Sequence, residues 1–269
     1  MSLLIATLAC VAFQTTSIQD KPFGFYHPPS DAVAPGTTSG IIGLRNMRDA
    51  VKILDRARQD HAHIFITMAG GRNRFQDEHG AFSLDMFQSQ IERFRGLDLS
   101  SYVKDGTVLG HLMFDEPHDP TNWDGRPVPP SVVDQAAKIS KELWPYLPTS
   151  IGSPPTYITK DGPMKYLDYC SAAYARKQGP FSAWLDRQVT TARAGKVKLV
   201  VTINVLDFAG KGMRAENLRS MSSTDLESLA TTALDNPYVA AVLMWKWDPD
   251  FTAIPGVQRS IERMAHRHH

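Results

Sequence analysis

The sequence predicts an α/β fold, a (β/α)8 TIM barrel that is irregular around its first two strands. Short apolar runs alternate along the chain with longer segments of helical period, which is typical of βαβ units and a parallel sheet. Runs such as 199–203 are apolar almost throughout, as strands buried on both faces are. No GxGxxG follows any strand, so the dinucleotide-binding fingerprint is missing. A doubly wound sheet is the alternative fold.

Seven clear strands and one weak strand are expected. In chain order they span residues 23–27, 41–44 (the weak one), 64–68, 108–114, 150–157, 166–174, 199–206 and 239–247. Amphipathic helices are expected at 46–59, 83–94, 131–143, 181–194 and 223–234. Ser131 and Ser223 are the predicted N-caps of two of them. Little helix separates the first two strands, which is the predicted irregularity.

Length and charge limit the functions to consider. The 269 residues suit one large barrel domain, which we assign to residues 21–269. The formal net charge is +1, from 29 basic and 28 acidic residues, so nucleic acid is not an expected partner. No HExxH, CxxC or Gly-rich phosphate loop occurs, and we predict neither cofactor nor metal. Cys170, in an apolar run, is predicted to be a buried structural thiol.

Residues 1–20 are predicted to be a signal peptide or another N-terminal segment. The apolar run 1–13 is too short to span a membrane and resembles the apolar region of a secretory signal. It lacks the usual Lys or Arg before that region, so a strand or helix packed on the domain is the alternative. We expect a secreted or periplasmic protein with no membrane span, and a cytoplasmic protein otherwise.

Polar and aromatic residues follow the strands at one end of the predicted barrel. In such barrels the functional side chains lie at the C-terminal ends of the strands. The candidates there are Tyr26, His27, Arg72, Asp115, Glu116, His118, Tyr174, Asn204, Asp207, Trp245, Trp247 and Asp248. Trp123, in the loop after the fourth strand, either stacks on a ligand or anchors that loop.

The strongest single feature is Asp115-Glu116-Pro117. Two adjacent carboxylates at the end of an apolar strand repel each other and lose hydration, which raises the pKa of at least one. A general acid near neutral pH requires such a pKa. Strand alternation places Asp115 on the face of His111, inside the barrel, and Glu116 on the other face, with Pro117 keeping Glu116 extended. Alternatively, Asp115 caps a helix or pairs with an arginine, Arg72 or Arg74.

At this tripeptide the chain resembles the glycoside hydrolase barrels related to cellulases. In that family an Asn-Glu-Pro tripeptide ends the fourth strand, and its Glu is the acid/base. Here Asp115 replaces the Asn, and counting 41–44 as a strand makes this the fourth. The last strand also resembles the family's eighth, whose tryptophan floors the sugar site. The resemblance implies that Glu116 is the acid/base and that Trp245 or Trp247 stacks on a sugar ring.

The chain departs from the family at the end of the seventh strand, where the nucleophilic Glu is missing. Asp207 and Asp248 are the available carboxylates, so retention and inversion both stay open. We therefore predict a glycoside hydrolase with a carbohydrate substrate. The predicted catalytic residues are Glu116, Asp115 and Asp207, and the other candidates named above, with Trp123, would bind the sugar. The alternatives are a non-catalytic saccharide-binding barrel and, less favoured, a metal-dependent hydrolase that uses His27 and His118.

Overall fold

Eight parallel strands close into a barrel in the computed structural model, which describes residues 21–29, 31–208 and 218–267. The strands are β1 (Phe23–Phe25), β2 (Ser39–Gly43), β3 (His63–Thr67), β4 (Val108–Asp115), β5 (Thr149–Gly152), β6 (Tyr169–Tyr174), β7 (Lys198–Asn204), β8 (Leu206–Phe208), β9 (Leu218–Ser220) and β10 (Val239–Trp245). The pairing of β1 with β10 closes the barrel, while β8 and β9 form a separate antiparallel pair. The predicted TIM barrel is confirmed and the doubly wound alternative is wrong.

Helices surround the barrel. They are α1 (Met47–Gln59), α2 (Leu84–Glu92), α3 (Ser100–Lys104), α4 (Pro130–Leu143), α5 (Pro155–Ile158), α6 (Phe181–Ala194), α7 (Ser223–Leu234), α8 (Pro249–Thr252) and α9 (Pro255–Ala265). All five predicted helices are confirmed, whereas the helices α3, α5, α8 and α9 were not predicted. No helix lies in the described connection between β1 and β2, as expected. None of the described helices is long and apolar enough to cross a membrane.

Both predicted serine caps were wrong by one or two positions. The N-cap of α4 is Pro129 and the helix begins at Pro130, because a proline in the first turn gives up no hydrogen bond. The N-cap of α7 is Ser222, whose Oγ accepts a hydrogen bond from the Asp225 amide at 3.1 Å. The predicted leader at 1–20 lies outside the described residues.

The apolar residues form two cores. The larger one lies between the barrel and its helices, and it includes the fully buried Cys170, as predicted. Burial raises the pKa of the Cys170 thiol and keeps it unreactive. The smaller one fills the barrel lumen with Phe65, Leu112, Val200 and Leu243. This lumen core supports the polar residues at the C-terminal end of the strands.

Candidate active site

A cavity of about 520 Å³ opens at the C-terminal end of the barrel. Its size is within the range of small-ligand pockets. Six of the predicted site residues line it: Tyr26, Asp115, Glu116, His118, Asn204 and Trp245. Strands on opposite sides of the barrel therefore contribute to one site, as the sequence predicted.

Asp115 reaches the lumen because β4 carries a bulge. Leu112 pairs with Ser150, but Asp115 pairs with Gly152, so β4 has one residue more than β5 over this stretch. An extra residue reverses the alternation of faces. The prediction that Asp115 lies on the same face of β4 as His111 was therefore wrong. The His111 side chain points outward, and its Nδ1 lies 2.9 Å from Ser140 Oγ on α4. Asp115 lies on the lumen side of β4, as Leu112 does.

The Asp115 carboxylate is held against a glycine. A Cβ placed on Gly152 would lie 1.8 Å from Asp115 Oδ1, so only glycine leaves room for it. The Glu116 amide donates a hydrogen bond to the same oxygen at 3.0 Å. Burial raises the pKa of Asp115 to about 6, and the Glu116 charge adds to the rise, while the nearby Tyr26 hydroxyl opposes it. The expected raised pKa is thus found at Asp115.

The Tyr26 hydroxyl lies beside this carboxylate. Both groups would contact a Cβ on Gly152, yet the hydroxyl makes no hydrogen bond of ordinary geometry within the described part of the chain. Burial, followed by the charge of Asp115, raises the pKa of Tyr26 well above its ordinary value. Tyr26 therefore stays protonated and places a neutral hydroxyl donor beside the Asp115 carboxyl.

Glu116 points toward the outer rim. Its backbone is not extended as predicted but left-handed, with φ 51°, which non-glycine residues rarely adopt. Its Oε2 accepts a hydrogen bond from Asn122 Nδ2 at 2.8 Å and lies 3.5 Å from an Arg72 nitrogen. Arg72 thus pairs with Glu116, and the alternative that Arg72 pairs with Asp115 is wrong. Strained backbone of this kind is concentrated at functional sites.

Trp123 anchors its loop and does not face the cavity. The ring is fully buried among Phe75, Phe82 and Phe114, and Nε1 donates a hydrogen bond to the Glu116 carbonyl at 2.8 Å. The stacking role was wrong and the loop-anchor alternative is confirmed. By this hydrogen bond Trp123 supports the turn at Glu116.

Three other predicted binding residues lie outside the cavity lining. Tyr174 is buried on the helix side of β6, and its hydroxyl donates to the Gly179 carbonyl at 2.7 Å. Trp247 packs against the outer core. Asp248 caps α8 by accepting a hydrogen bond from the Phe251 amide at 2.9 Å. Tyr174 was assigned wrongly because alternation along β6 turns its side chain outward, and Trp247 and Asp248 were assigned wrongly because β10 ends before them, at Trp245.

The remaining candidates lie near the rim. His27 is exposed, with its ring against that of Tyr26 at 5.1 Å. His118 Nδ1 is 3.0 Å from Ser153 Oγ, and burial lowers the pKa of His118, which keeps the ring neutral near pH 7. Asn204 and Trp245 are paired at the ends of β7 and β10. The backbone of Asp207 pairs with Arg219 in the β8–β9 pair, and its side chain lies outside the described structure.

Several lining residues were missed from the sequence. Ser171 Oγ and Thr202 Oγ1 are 2.9 Å apart on the lumen side of β6 and β7. Small polar residues at alternate positions of apolar strands are the signal that could have found them. Gln178, Trp184 and Gln188 also line the cavity, although two of them belong to the helix α6, which was predicted only as packing. Among the described residues, no three His, Cys, Asp or Glu side chains converge as a metal site.

Comparison with known proteins shows the fold. No family model and no curated protein sequence matches the chain. A family 30 subfamily 8 xylanase from Clostridium acetobutylicum is similar in structure, with TM-score 0.56 and 9% identity over 91% of this chain and 71% of that one. An exo-β-1,4-mannosidase from Opitutaceae bacterium strain TAV5 has TM-score 0.56 and 12% identity, over 90% and 55% of the two chains.

A family 2 β-galacturonidase from Eisenbergiella tayi is also similar, with TM-score 0.54 and 13% identity over 86% of this chain. The chain spans only 44% of that enzyme's length. At such identities the likeness is one of fold alone. The structural neighbours are glycoside hydrolases built on an eight-stranded parallel barrel, as the resemblance at Asp115-Glu116-Pro117 led us to expect.

Proposed function

We propose that this chain is a glycoside hydrolase that cleaves a glycosidic bond in the rim cavity by carboxylate acid/base catalysis. The observation that carries the proposal is Asp115, a lumen carboxyl whose pKa is raised to about 6 inside a ligand-sized cavity. A carboxyl of this kind stays protonated in mildly acidic solution, up to about its pKa, and can give the proton to a leaving oxygen. The shared fold of known glycoside hydrolases supports the same reaction class.

The two carboxylates take different parts in this reaction. Asp115 gives its proton to the glycosidic oxygen as the C–O bond breaks, and water supplies the new C–O bond at the sugar carbon. Glu116, oriented by Asn122 and Arg72, accepts the proton that the water loses. In this proposal Asp115 is the acid because it is the carboxyl whose pKa is raised by burial. The family resemblance alone would give that role to Glu116.

The rest of the lining suits a sugar. Trp245 offers an indole beside the carboxylates, and aromatic faces pack against the apolar faces of sugar rings. Tyr26, Asn204 and Thr202 offer neutral donors and acceptors for hydroxyl groups. A few convergent polar groups in a concave site are what a small-molecule site requires.

Substitution of the two carboxylates tests the proposal. Asp115→Asn should lower kcat on xylan, mannan, cellulose or aryl glycosides at least about 100-fold, because it removes the proton donor with little change of shape. Glu116→Gln should also lower kcat, whereas Asp186→Asn, a change at an exposed residue of α6, should leave it unaltered. Full activity of Asp115→Asn would exclude Asp115 as the acid. If Glu116→Gln alone abolishes activity, the family assignment of the acid is the correct one.

The pH profile gives an independent check. The donor must be protonated, so kcat/KM should fall as the pH rises through about 6, the pKa of Asp115. The fall should be missing from the residual activity of Asp115→Asn. An activity that keeps rising up to pH 8 would contradict a role for Asp115 as acid.

A second candidate function is a saccharide-binding barrel without catalysis. It is favoured by Asn204, which stands at the end of β7 where the resembled family has its nucleophilic Glu. Within the described lining, Asp115 and Glu116 are the only carboxylates. Wild-type protein that binds an oligosaccharide but cleaves none of the panel would establish this function instead.

A further inference from the structure

The cavity continues through the wall of the barrel between β5 and β6. β6 pairs with β7 over its whole length, from Tyr169 to Tyr174. On its other side β6 pairs with β5 at only two positions, because β5 ends at Gly152. In this register Gly152 is level with Ser171, so from Ala172 onward this edge of β6 faces no residue of β5.

The lining residues show that the cavity uses this opening. It touches Ser171, which bonds to Thr202 on the lumen side of the sheet, and also Ala172, which belongs to the outer core. It then reaches Trp184 and Gln188 on α6, which packs outside the barrel. The unpaired edge of β6 beside β5 is where the cavity can pass from one face of this strand to the other. We call this extension the side arm, lined by Pro154, Ala172, Ala173, Gln178, Trp184 and Gln188.

Gln188 gives the side arm a specific hydrogen-bonding group. Its side chain is more than nine-tenths buried, and its Oε1 has no hydrogen-bond partner among residues 21–29, 31–208 and 218–267. A buried acceptor left without a partner is costly, and it is satisfied when a ligand supplies the donor. A hydroxyl suits the Gln188 amide in either orientation, because it can both donate and accept.

The charge of the lining limits what can enter. None of the side-arm residues is charged, and no lysine or arginine is found in the described lining of the whole cavity. A carboxylate group in the side arm would be buried without a partner, which is strongly unfavourable. The chemistry therefore selects a neutral group that carries hydroxyls.

We propose that the side arm is a second subsite, which takes a neutral sugar unit next to the one in the lumen, and that Gln188 recognises one of its hydroxyls. The subsite depends on the proposed function in one respect only, namely that the ligand is a saccharide. The lumen part holds one ring beside Asp115 and Trp245, while the neighbouring unit passes the end of β5 at Gly152. Gln188 is then a specificity-determining residue that favours a linked or branched sugar over a single one.

Binding of matched sugars tests the subsite. Calorimetry with Asp115→Asn, which spares the ligand from cleavage, compares xylobiose with xylose, mannobiose with mannose, and cellobiose with glucose. We expect at least one disaccharide to bind ten-fold or more tightly than its monosaccharide. Adding Gln188→Leu should lower that ratio about ten-fold, the effect of one buried hydrogen bond. Adding Gln258→Leu, an exposed glutamine on α9, should not change it.

Two results would overturn the subsite: no disaccharide binds better than its monosaccharide, or the ratio survives Gln188→Leu. If Gln188→Leu does not fold, Gln188→Met is the second variant, since it keeps an unbranched side chain of similar length on α6 and removes only the amide. Hydrolysis is scored separately on the wild type. If the wild type hydrolyses a glycoside but Asp115→Asn prefers no disaccharide over its monosaccharide, the subsite alone is refuted. If that preference is present and depends on Gln188 but the wild type hydrolyses nothing, the catalytic proposal alone is refuted.

Discussion

The two ends of the barrel lumen are built from the same strands but have opposite chemistry. Toward the N-terminal end the lumen is closed by Phe65, Leu112, Val200 and Leu243, all at most 5% exposed. At the C-terminal end the same strands place Asp115, Thr202 and other polar groups around an open cavity. The apolar end stabilises the fold and the polar end costs stability, since it buries a carboxyl and leaves polar atoms unpaired. Truncating a core side chain at the apolar end and removing the buried charge at the polar end should therefore change the free energy of unfolding in opposite directions.

The largest effect is expected at the apolar end. Phe65→Ala should lower the free energy of unfolding by about 3–5 kcal/mol, because it removes a ring that is 1% exposed and packs against Tyr169. Urea denaturation measures the change, with Phe65→Leu as a control that should lose less. A loss below about 1 kcal/mol would mean that the lumen core can collapse around the gap.

At the polar end the sign should reverse. The folded-state pKa of Asp115, about 6, is above its ordinary value of 3.8, so the folded protein binds this proton more tightly than the unfolded chain. The stabilisation is complete below pH 3.8 and is lost as the pH rises through 6. Asp115→Asn removes the dependence and should raise the free energy of unfolding relative to wild type by up to about 3 kcal/mol at pH 7.5.

Urea denaturation at pH 4 and pH 7.5 checks this prediction. The gain from Asp115→Asn should be small at the lower pH and large at the higher one, since other carboxyl groups titrate equally in both proteins. A gain that does not depend on pH, or a loss at pH 7.5, would show that the Asp115 charge is not what destabilises the site.

Gly152→Ala should have an intermediate effect. The new Cβ would overlap Asp115 Oδ1 and lie 2.6 Å from the Tyr26 hydroxyl, and forced overlaps of this kind cost roughly 1–3 kcal/mol. A double-mutant cycle identifies the partner: in an Asp115→Ala background most of the loss should disappear. If the loss is the same in both backgrounds, the clash that matters is with the Tyr26 hydroxyl, and Gly152 does not serve the carboxylate.

The sequence was sufficient for the barrel because its signals are local. Apolar runs and helical periods predicted all eight barrel strands and five helices, and the ends of the strands predicted residues that line the cavity, Asp115 and Trp245 among them. The face of Asp115 depended on something else, the bulge opposite Gly152. A bulge is set by how β4 pairs with a distant segment, so simple alternation from His111 assigned the wrong neighbours.

The side arm could not be predicted for a related reason. Helical periodicity correctly places Gln188 on the buried face of α6. The amide of a buried glutamine in a helix is usually hydrogen-bonded to neighbouring groups, so burial alone does not mark it as part of a ligand site. Gln188 lines the cavity because β5 ends at Gly152, before β6 does, and leaves a gap in the wall of the barrel. The length of one strand relative to its neighbour is a three-dimensional property, and residues at Pro154 and Ala173 carry no local signal of it.

The smallest effect is expected at the outer rim, where water reaches the charged groups. Arg72 and Glu116 are 3.5 Å apart with side chains 35% and 48% exposed, and such pairs contribute less than about 1 kcal/mol. Arg72→Gln should therefore lower the free energy of unfolding by less than about 1 kcal/mol, and Arg45→Gln, which removes a still more exposed pair with Asp31, should lower it by no more than that. Both losses should shrink at high salt. A larger, salt-independent loss for Arg72→Gln would show that its contacts with Asn122 and Trp123 hold the rim turn, and that the cost of building the site extends outward from the lumen.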